Sequence, residues 1–302
     1  MKRITLLVLV LALLAGCRKA RNSGSLVDAR KGFRSELISL APPAKPAPQP
    51  PTGVFRLLRY PAAGGQFAAY LSPDPDDGAK HAAMLWITGG DCNSIDDGCW
   101  TEQSASNDQS ASAFRKAGMV MMFPSLRGGN DNPGQREGLL GEVDDVLAAA
   151  DFLAQQNYVD PNRIYLGGHS TGGSLALLVA ECSDRFRAVF SFGPVDDVSG
   201  YPAVYAPFSR KNRKEVELRS PGRWLHTIKT PTFVLEGTIE GNITSLRNMA
   251  KSCTNANVHF IPGNGVDHFS ILAPATKVIS QKIKGDTGPT CAISITEGEI
   301  TP

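Results

Sequence analysis

From residue 54 onward the chain alternates short, almost wholly apolar runs with longer stretches whose apolar residues recur every three to four positions. Residues 82–87, 119–123, 163–167, 188–192, 232–235 and 258–261 read as strands with little or no polar face. Residues 137–156 carry Leu139, Leu140, Val143, Val146, Leu147, Ala150 and Leu153, a helical stripe. Further helix-like runs fall at 109–116, 173–180, 245–251 and 269–283, the last despite Pro274. Ahead of them, 54–60 and 66–71 flank a Pro- and Gly-containing turn like the arms of a hairpin. Apolar strands between helices need cover on both sides. The pattern predicts an α/β protein, a doubly wound, mostly parallel sheet with helices on both faces, over residues 53–284. Residues 194–226 lie outside the alternation and mix Tyr201, Tyr205, Phe208 and Trp224 with basic residues. They read either as part of a lid or substrate wall or as a solvated loop with anchoring aromatics.

One strand-to-helix junction carries chemistry. Gly168-His169-Ser170-Thr171-Gly172 joins the apolar run ending at Gly167 to the helix-like run beginning at Gly173. A serine flanked by small residues at such a junction is a nucleophile elbow, a turn too sharp for side chains two positions either side. A hydroxyl needs a base to become a nucleophile, and an imidazole needs an acid to hold its tautomer. His268 lies beyond the last apolar strand, where a topside loop belongs, and is the candidate base. His259 sits within a strand, and the ring of His169 is expected to point away from Ser170 into the support of the elbow. For the acid, Glu240 lies several residues past the strand 232–235. Asp196 or Asp197, after the preceding strand, are alternatives, and Glu236 and Asp267 are further ones. The oxyanion site is expected from the backbone N–H of Thr171 and one from Gly90 or Asp91, directly after the strand 82–87.

Composition adds location more than chemistry. Met1-Lys2-Arg3 followed by twelve apolar residues is too short to cross a bilayer and reads as a secretory leader over residues 1–16. Residues 17–52 end in a proline-rich stretch and fit a tether, with 37–40 the one part suited to docking. At about 3 Å per residue it would reach roughly 100 Å. Residues 285–302 form a C-terminal tail. Leader removal takes Lys2 and Arg3 from the 31 basic residues and so balances the 29 acidic ones. No basic stripe interleaved with aromatics is present, which argues against nucleic acid as a partner. In an exported chain, Cys92 and Cys99 within one polar loop are expected to form a local disulfide, and two of Cys182, Cys253 and Cys291 a second. The five histidines are scattered without metal-ligand spacing, so neither metal nor cofactor is expected.

Two resemblances sharpen these expectations. Leu14-Ala15-Gly16-Cys17 resembles the lipobox of bacterial lipoproteins, which implies cleavage before Cys17 and lipid on its thiol. With Arg18 next, the resemblance implies the outer membrane of a bacterial envelope, facing periplasm or surface. Farther along, the chain resembles the catalytic domain of the prolyl oligopeptidase (S9) family, within the α/β-hydrolase superfamily. The resemblance rests on Phe123-Pro124-Ser125-Leu126-Arg127-Gly128-Gly129, Val159-Asp160-Pro161-Asn162-Arg163-Ile164, the Gly168–Gly173 elbow, Gly237-Thr238-Ile239-Glu240 and Asp267-His268-Phe269. It implies an α/β-hydrolase fold with Ser170 as nucleophile, Glu240 as acid and His268 as base. Glu240 stands where the family usually has Asp, and the chain has no room for the family's β-propeller. The implied activity is a serine hydrolase acting on a small ester or a peptide. An esterase for small or lipidic acyl esters, or an idle domain serving as an envelope binding module, are the alternatives.

Overall fold

The computed structural model describes residues 24–41 and 45–301. The leader-like residues 1–16 and Cys17 lie outside them. Eight strands form one sheet: β1 (Arg56–Ala62), β2 (Gly65–Leu71), β3 (His81–Ile87), β4 (Val120–Pro124), β5 (Val159–His169), β6 (Val189–Phe192), β7 (Thr232–Gly237) and β8 (Val258–Gly263). Their order is β1-β2-β4-β3-β5-β6-β7-β8. The pairs β1–β2 and β2–β4 are antiparallel, and every other pair is parallel. Among the described residues seven α-helices accompany the sheet: α1 (Leu26–Arg30), α2 (Ser112–Lys116), α3 (Glu142–Ala154), α4 (Thr171–Cys182), α5 (Arg213–Leu218), α6 (Ile243–Ser252) and α7 (Leu272–Gly285).

The central strands show why the sheet is covered twice. Successive side chains of a strand point to opposite faces. Ala83, Leu85 and Ile87 of β3 join one buried cluster with Val146 of α3, Leu177 of α4 and Met249 of α6. Ala82, Met84 and Trp86 join the other, with Phe114 of α2 and Ile279 of α7. A sheet apolar on both faces has no stable arrangement without helices on each. Helix α4 sits unusually close to β6: a Cβ on Gly173 would stand 2.3 Å from the Phe192 carbonyl oxygen. Ser191, small and facing α4, donates to the Gly173 carbonyl at 2.8 Å.

The elements depart from the sequence pattern where the backbone turns. α3 begins only at Glu142, because Gly138 and Leu139 adopt φ of 63° and 78°, which no helix tolerates. α2 begins at Ser112 rather than near Gln109, because the Asp108 carboxylate accepts from both the N–H and the hydroxyl of Ser112 and leaves Gln109 in a loop. Pro161 lies within β5, where the pairing with β3 shifts register.

The expected Cys92–Cys99 disulfide is absent, and Cys182, Cys253 and Cys291 are also free. Cys92 packs into the α3–α4 side of the core and Cys99 into the α2–α7 side. Seven residues of sequence spacing brought the thiols to one loop without bringing them to one face. Burial pushes both thiols well above their ordinary pKa.

The chain ahead of β1 is not a free tether where it is described. Leu26 is buried in the core, and Arg30 reaches the Leu140 carbonyl and Asp144 at 2.9 and 2.8 Å. Ser35 and the Glu36 N–H bind the Glu215 carboxylate, which also pairs with Arg219, all in or beside α5. Leu37 bridges to Phe208. Of 37–40, however, Ile38 and Leu40 remain exposed. The tail past α7 is likewise bound. Arg187 chelates Asp286 at 2.7 and 2.8 Å, and Ile295 and Ile300 are buried. Burial raises the pKa of Asp286, but bonds from Arg187 and Tyr165 outweigh it and hold the carboxylate well below its ordinary range.

Candidate active site

The elbow is built as its residue sizes require. Ser170 adopts φ 55° and ψ −113°, a conformation that costs on the order of 1–3 kcal/mol and persists only when its surroundings impose it. A Cβ on Gly168 would stand 2.5 Å from the Gly172 carbonyl oxygen, and one on Gly172 2.4 Å from that of Ile87. Ser170 donates its N–H to Phe192 at 2.7 Å, which fixes the turn against β6. Its side chain faces the hydroxyl of Tyr201, which is also 2.8 Å from Ser174 Oγ. Burial, first of all, raises the Tyr201 pKa and keeps it a neutral phenol.

The carboxylate that meets His268 is not the expected Glu240. Glu240 is exposed, whereas Glu236 is fully buried and its Oε2 lies 2.8 Å from His268 Nδ1. The same carboxylate accepts from the backbone N–H groups of Gly237 at 2.8 Å and Asn242 at 3.2 Å. β7 runs to Gly237, two residues past the apolar run, so Glu236 reaches His268 from the strand itself. Asp196 is engaged by Ser245 and Asn248, Asp197 by Ser199 and Arg223, and Asp267 by the backbone of Phe269 and Ser270. None of them serves His268. The sequence did hold a signal for Glu236: a carboxylate directly after an apolar strand is buried either with partners or in its neutral form, because a lone buried charge is prohibitively costly.

Room for His268 comes from two glycines. A Cβ on Gly193, at φ 58°, would stand 2.4 Å from His268 Cε1, and one on Gly241, at φ 92°, 2.6 Å from His268 Cβ. His169, buried beneath, reaches the His268 loop rather than pointing away into the elbow alone: its Nε2 is 2.9 Å from the His268 carbonyl oxygen. The two rings are 4.5 Å apart. Burial first, then the neighbouring His268, lowers the His169 pKa to about 3.

On the other side of Ser170, Thr171 Oγ1 donates to the Gly90 carbonyl at 2.9 Å and ties the start of α4 to the turn after β3. The first amides of a helix have no carbonyl partner within it, so the start of α4 presents free donors beside Ser170. Gly90 has φ 71°, and the side chain of exposed Asp91 turns away to pair with Arg136 at 2.8 Å. A cavity of about 310 Å³ opens beside Gly90 and Thr171, walled by Cys92, Leu139, Val198, Tyr201, Val204 and Tyr205 and closed on one side by residues 39–41. A more polar one of about 400 Å³ adjoins it past Asp91, with Asp96, Asp97 and Gln109 in its walls. Among the described residues no cluster of His, Cys, Asp and Glu could hold a metal ion.

The fold is that of an α/β-hydrolase. The model of the prolyl oligopeptidase family, Peptidase_S9, matches residues 105–249, just under half of the chain. A dual function macrocyclase-peptidase, POPB of Galerina marginata, is 33% identical over 89 residues, covering 27% of this chain and 12% of its own. The chain therefore spans only a small part of that relative. A puromycin-hydrolyzing peptidase of Mycobacterium tuberculosis superposes with a TM-score of 0.58 at 20% identity, over 76% of this chain and 39% of that one. An esterase of Pyrobaculum calidifontis gives 0.55 at 17% identity, over 86% and 88%. Together the family match and the fold support a catalytic domain of S9 or related α/β-hydrolase type and a hydrolase-type activity.

Proposed function

We propose that the chain is a serine hydrolase that cleaves an ester or peptide bond through an acyl-enzyme. Ser170 attacks the carbonyl, His268 takes its proton and returns it to the leaving group, and Glu236 holds the Nδ1–H tautomer of His268. The observation that carries this reading is the buried Glu236–His268 pair at 2.8 Å beside a strained serine elbow. Oxyanion donors are assigned to the N–H groups of Thr171 and of Gly90 or Asp91, which the Thr171 Oγ1 bond to the Gly90 carbonyl ties together. Water then hydrolyses the acyl-enzyme by the same acid–base route in reverse.

A peptidase reading is supported by the family match, and an esterase reading by the shape of the site. The cavity beside Gly90 and Thr171 has more apolar than polar wall, although Asp91 and Arg136 also line it, and Leu40 and Val204 on it are 67% and 83% exposed. Its apolar part suits an apolar acyl group. The test is covalent labelling with a fluorophosphonate, followed by p-nitrophenyl esters and aminoacyl-arylamides in parallel. No labelling of Ser170, with no turnover of either class, would sink the reading. The leader-like start of the chain supports an envelope location with lipid on Cys17, which intact-mass analysis of the native N-terminus tests.

A further inference from the structure

Gln109 stands where three loops of the site meet, and its hydrogen bonds leave no freedom of assignment. Its Oε1 accepts from the backbone N–H of Gly89 at 3.2 Å. A backbone N–H only donates, so that end of the amide is the oxygen and the other is the NH₂ group. The two N–H bonds of Nε2 reach Asn107 Oδ1 at 2.7 Å and His169 Nδ1 at 2.8 Å. Nδ1 of His169 must therefore accept, and the ring proton must sit on Nε2. Nε2 lies 2.9 Å from the His268 carbonyl oxygen, which only accepts. Every donor meets an acceptor in one arrangement alone.

We propose that Gln109 and His169 are positioning residues that hold the turn after β3, the elbow and the His268 loop in register, with His169 locked as its neutral Nε2–H tautomer. The inference rests on His268 as the base of the proposed reaction. Glu236 holds the His268 ring at Nδ1, and His169 holds the His268 backbone, so the imidazole is fixed at two points. Gln109 does the same for Gly89, next to the turn assigned to the oxyanion. Neutrality of His169 also matters. His268 becomes cationic as it takes the Ser170 proton, and a second charge 4.5 Å away would oppose that step. A protonated His169 would moreover aim an Nδ1–H at the NH₂ of Gln109. The low pKa of His169 agrees with this arrangement.

The test has a spectroscopic and a kinetic arm. In ¹⁵N-histidine-labelled protein at pH 7, His169 shows the neutral Nε2–H pattern; an Nδ1–H or imidazolium pattern overturns the proposal. Gln109→Glu replaces the donor with an acceptor and converts His169 to a form carrying the proton on Nδ1. With p-nitrophenyl butyrate as probe, Gln109→Glu and His169→Phe each lower kcat about 10- to 100-fold and leave KM within about twofold, the scale of a catalytic group displaced by an ångström. Wild-type kcat in both variants overturns the proposal. If His169→Phe does not fold, the tautomer and Gln109→Glu decide alone. Fluorophosphonate labelling of Ser170 and the loss of turnover in His268→Ala test the triad itself, so a failure of the clamp and a failure of the triad give different results.

Discussion

Two fully buried carboxylates divide the molecule. Glu236, at the end of β7, meets three N–H groups: those of Gly237 and Asn242 and the ring of His268. Glu181, near the last turn of α4, has neither carboxyl oxygen partnered among the described residues. Burial first, and then Cys253, raises the Glu181 pKa far above the ordinary carboxylate range. Helix α4 thus follows Ser170, in a region of matched donors and acceptors, and carries near its end an acid whose charged form burial disfavours. Burial alone does not make a working carboxylate. Glu236 is met by donors from its own strand end and from the loops that follow β7 and β8, whereas Glu181 meets none among the described residues.

The sharpest way to break this contrast is to remove the attacking oxygen. Ser170→Ala should abolish turnover and fluorophosphonate labelling, a loss approaching ~10⁶-fold by analogy with serine removal in another triad hydrolase, while circular dichroism stays unchanged. Labelling at wild-type rate in that variant would end the nucleophile assignment.

Next in size is the acid. Glu236→Gln should lower kcat by about 10⁴-fold, the precedent for acid loss in another serine triad, whereas exposed Glu240→Gln should stay within about threefold of wild type. Should the two variants exchange behaviours in steady-state kinetics, the acid lies on the loop after β7 and not in the strand.

Gly193→Ala probes the room left for His268. The new methyl would stand 2.4 Å from His268 Cε1 at a positive φ. We expect kcat to fall about 10²-fold through misplacement, with about 1–3 kcal/mol lost in denaturant unfolding from backbone strain. Wild-type kcat in a folded Gly193→Ala protein would show that the imidazole is held less tightly than its distances imply.

The smallest effect belongs to Glu181 and is seen as pH-dependent stability. Its folded pKa is raised above the unfolded one, so the stability it contributes is present below about pH 4 and is lost as pH rises through the folded pKa. Glu181→Gln cannot titrate. It should match wild type in thermal melts near pH 4 and be the more stable at pH 8. Equal melting at pH 8 would show that Glu181 finds a partner or ionises without cost.

The alternation of apolar strands and helical stripes predicted the sheet, its two covered faces and the elbow, because each of these is set within a dozen neighbouring residues. Gly168 could be read in the same way, since a Cβ there would meet the Gly172 carbonyl of its own turn, whereas Gly172 and Gly173 are closed off by Ile87 of β3 and Phe192 of β6 across from them. That His268 lies on a loop past the last strand followed from chain order. Its carboxylate partner did not, since Glu236 and Glu240 are four residues apart and only the length of β7 and the position of the His268 loop choose between them. Cys92 and Cys99 share a loop in sequence, yet they enter opposite faces of the core. Gln109 gave no signal and His169 was legible only as support for the elbow, because a hydrogen-bond chain over 60 residues of sequence exists only once three loops are folded together. Local periodicity and steric limits are properties of the sequence; which polar groups meet is decided by distances that only the packed sheet and its loops set.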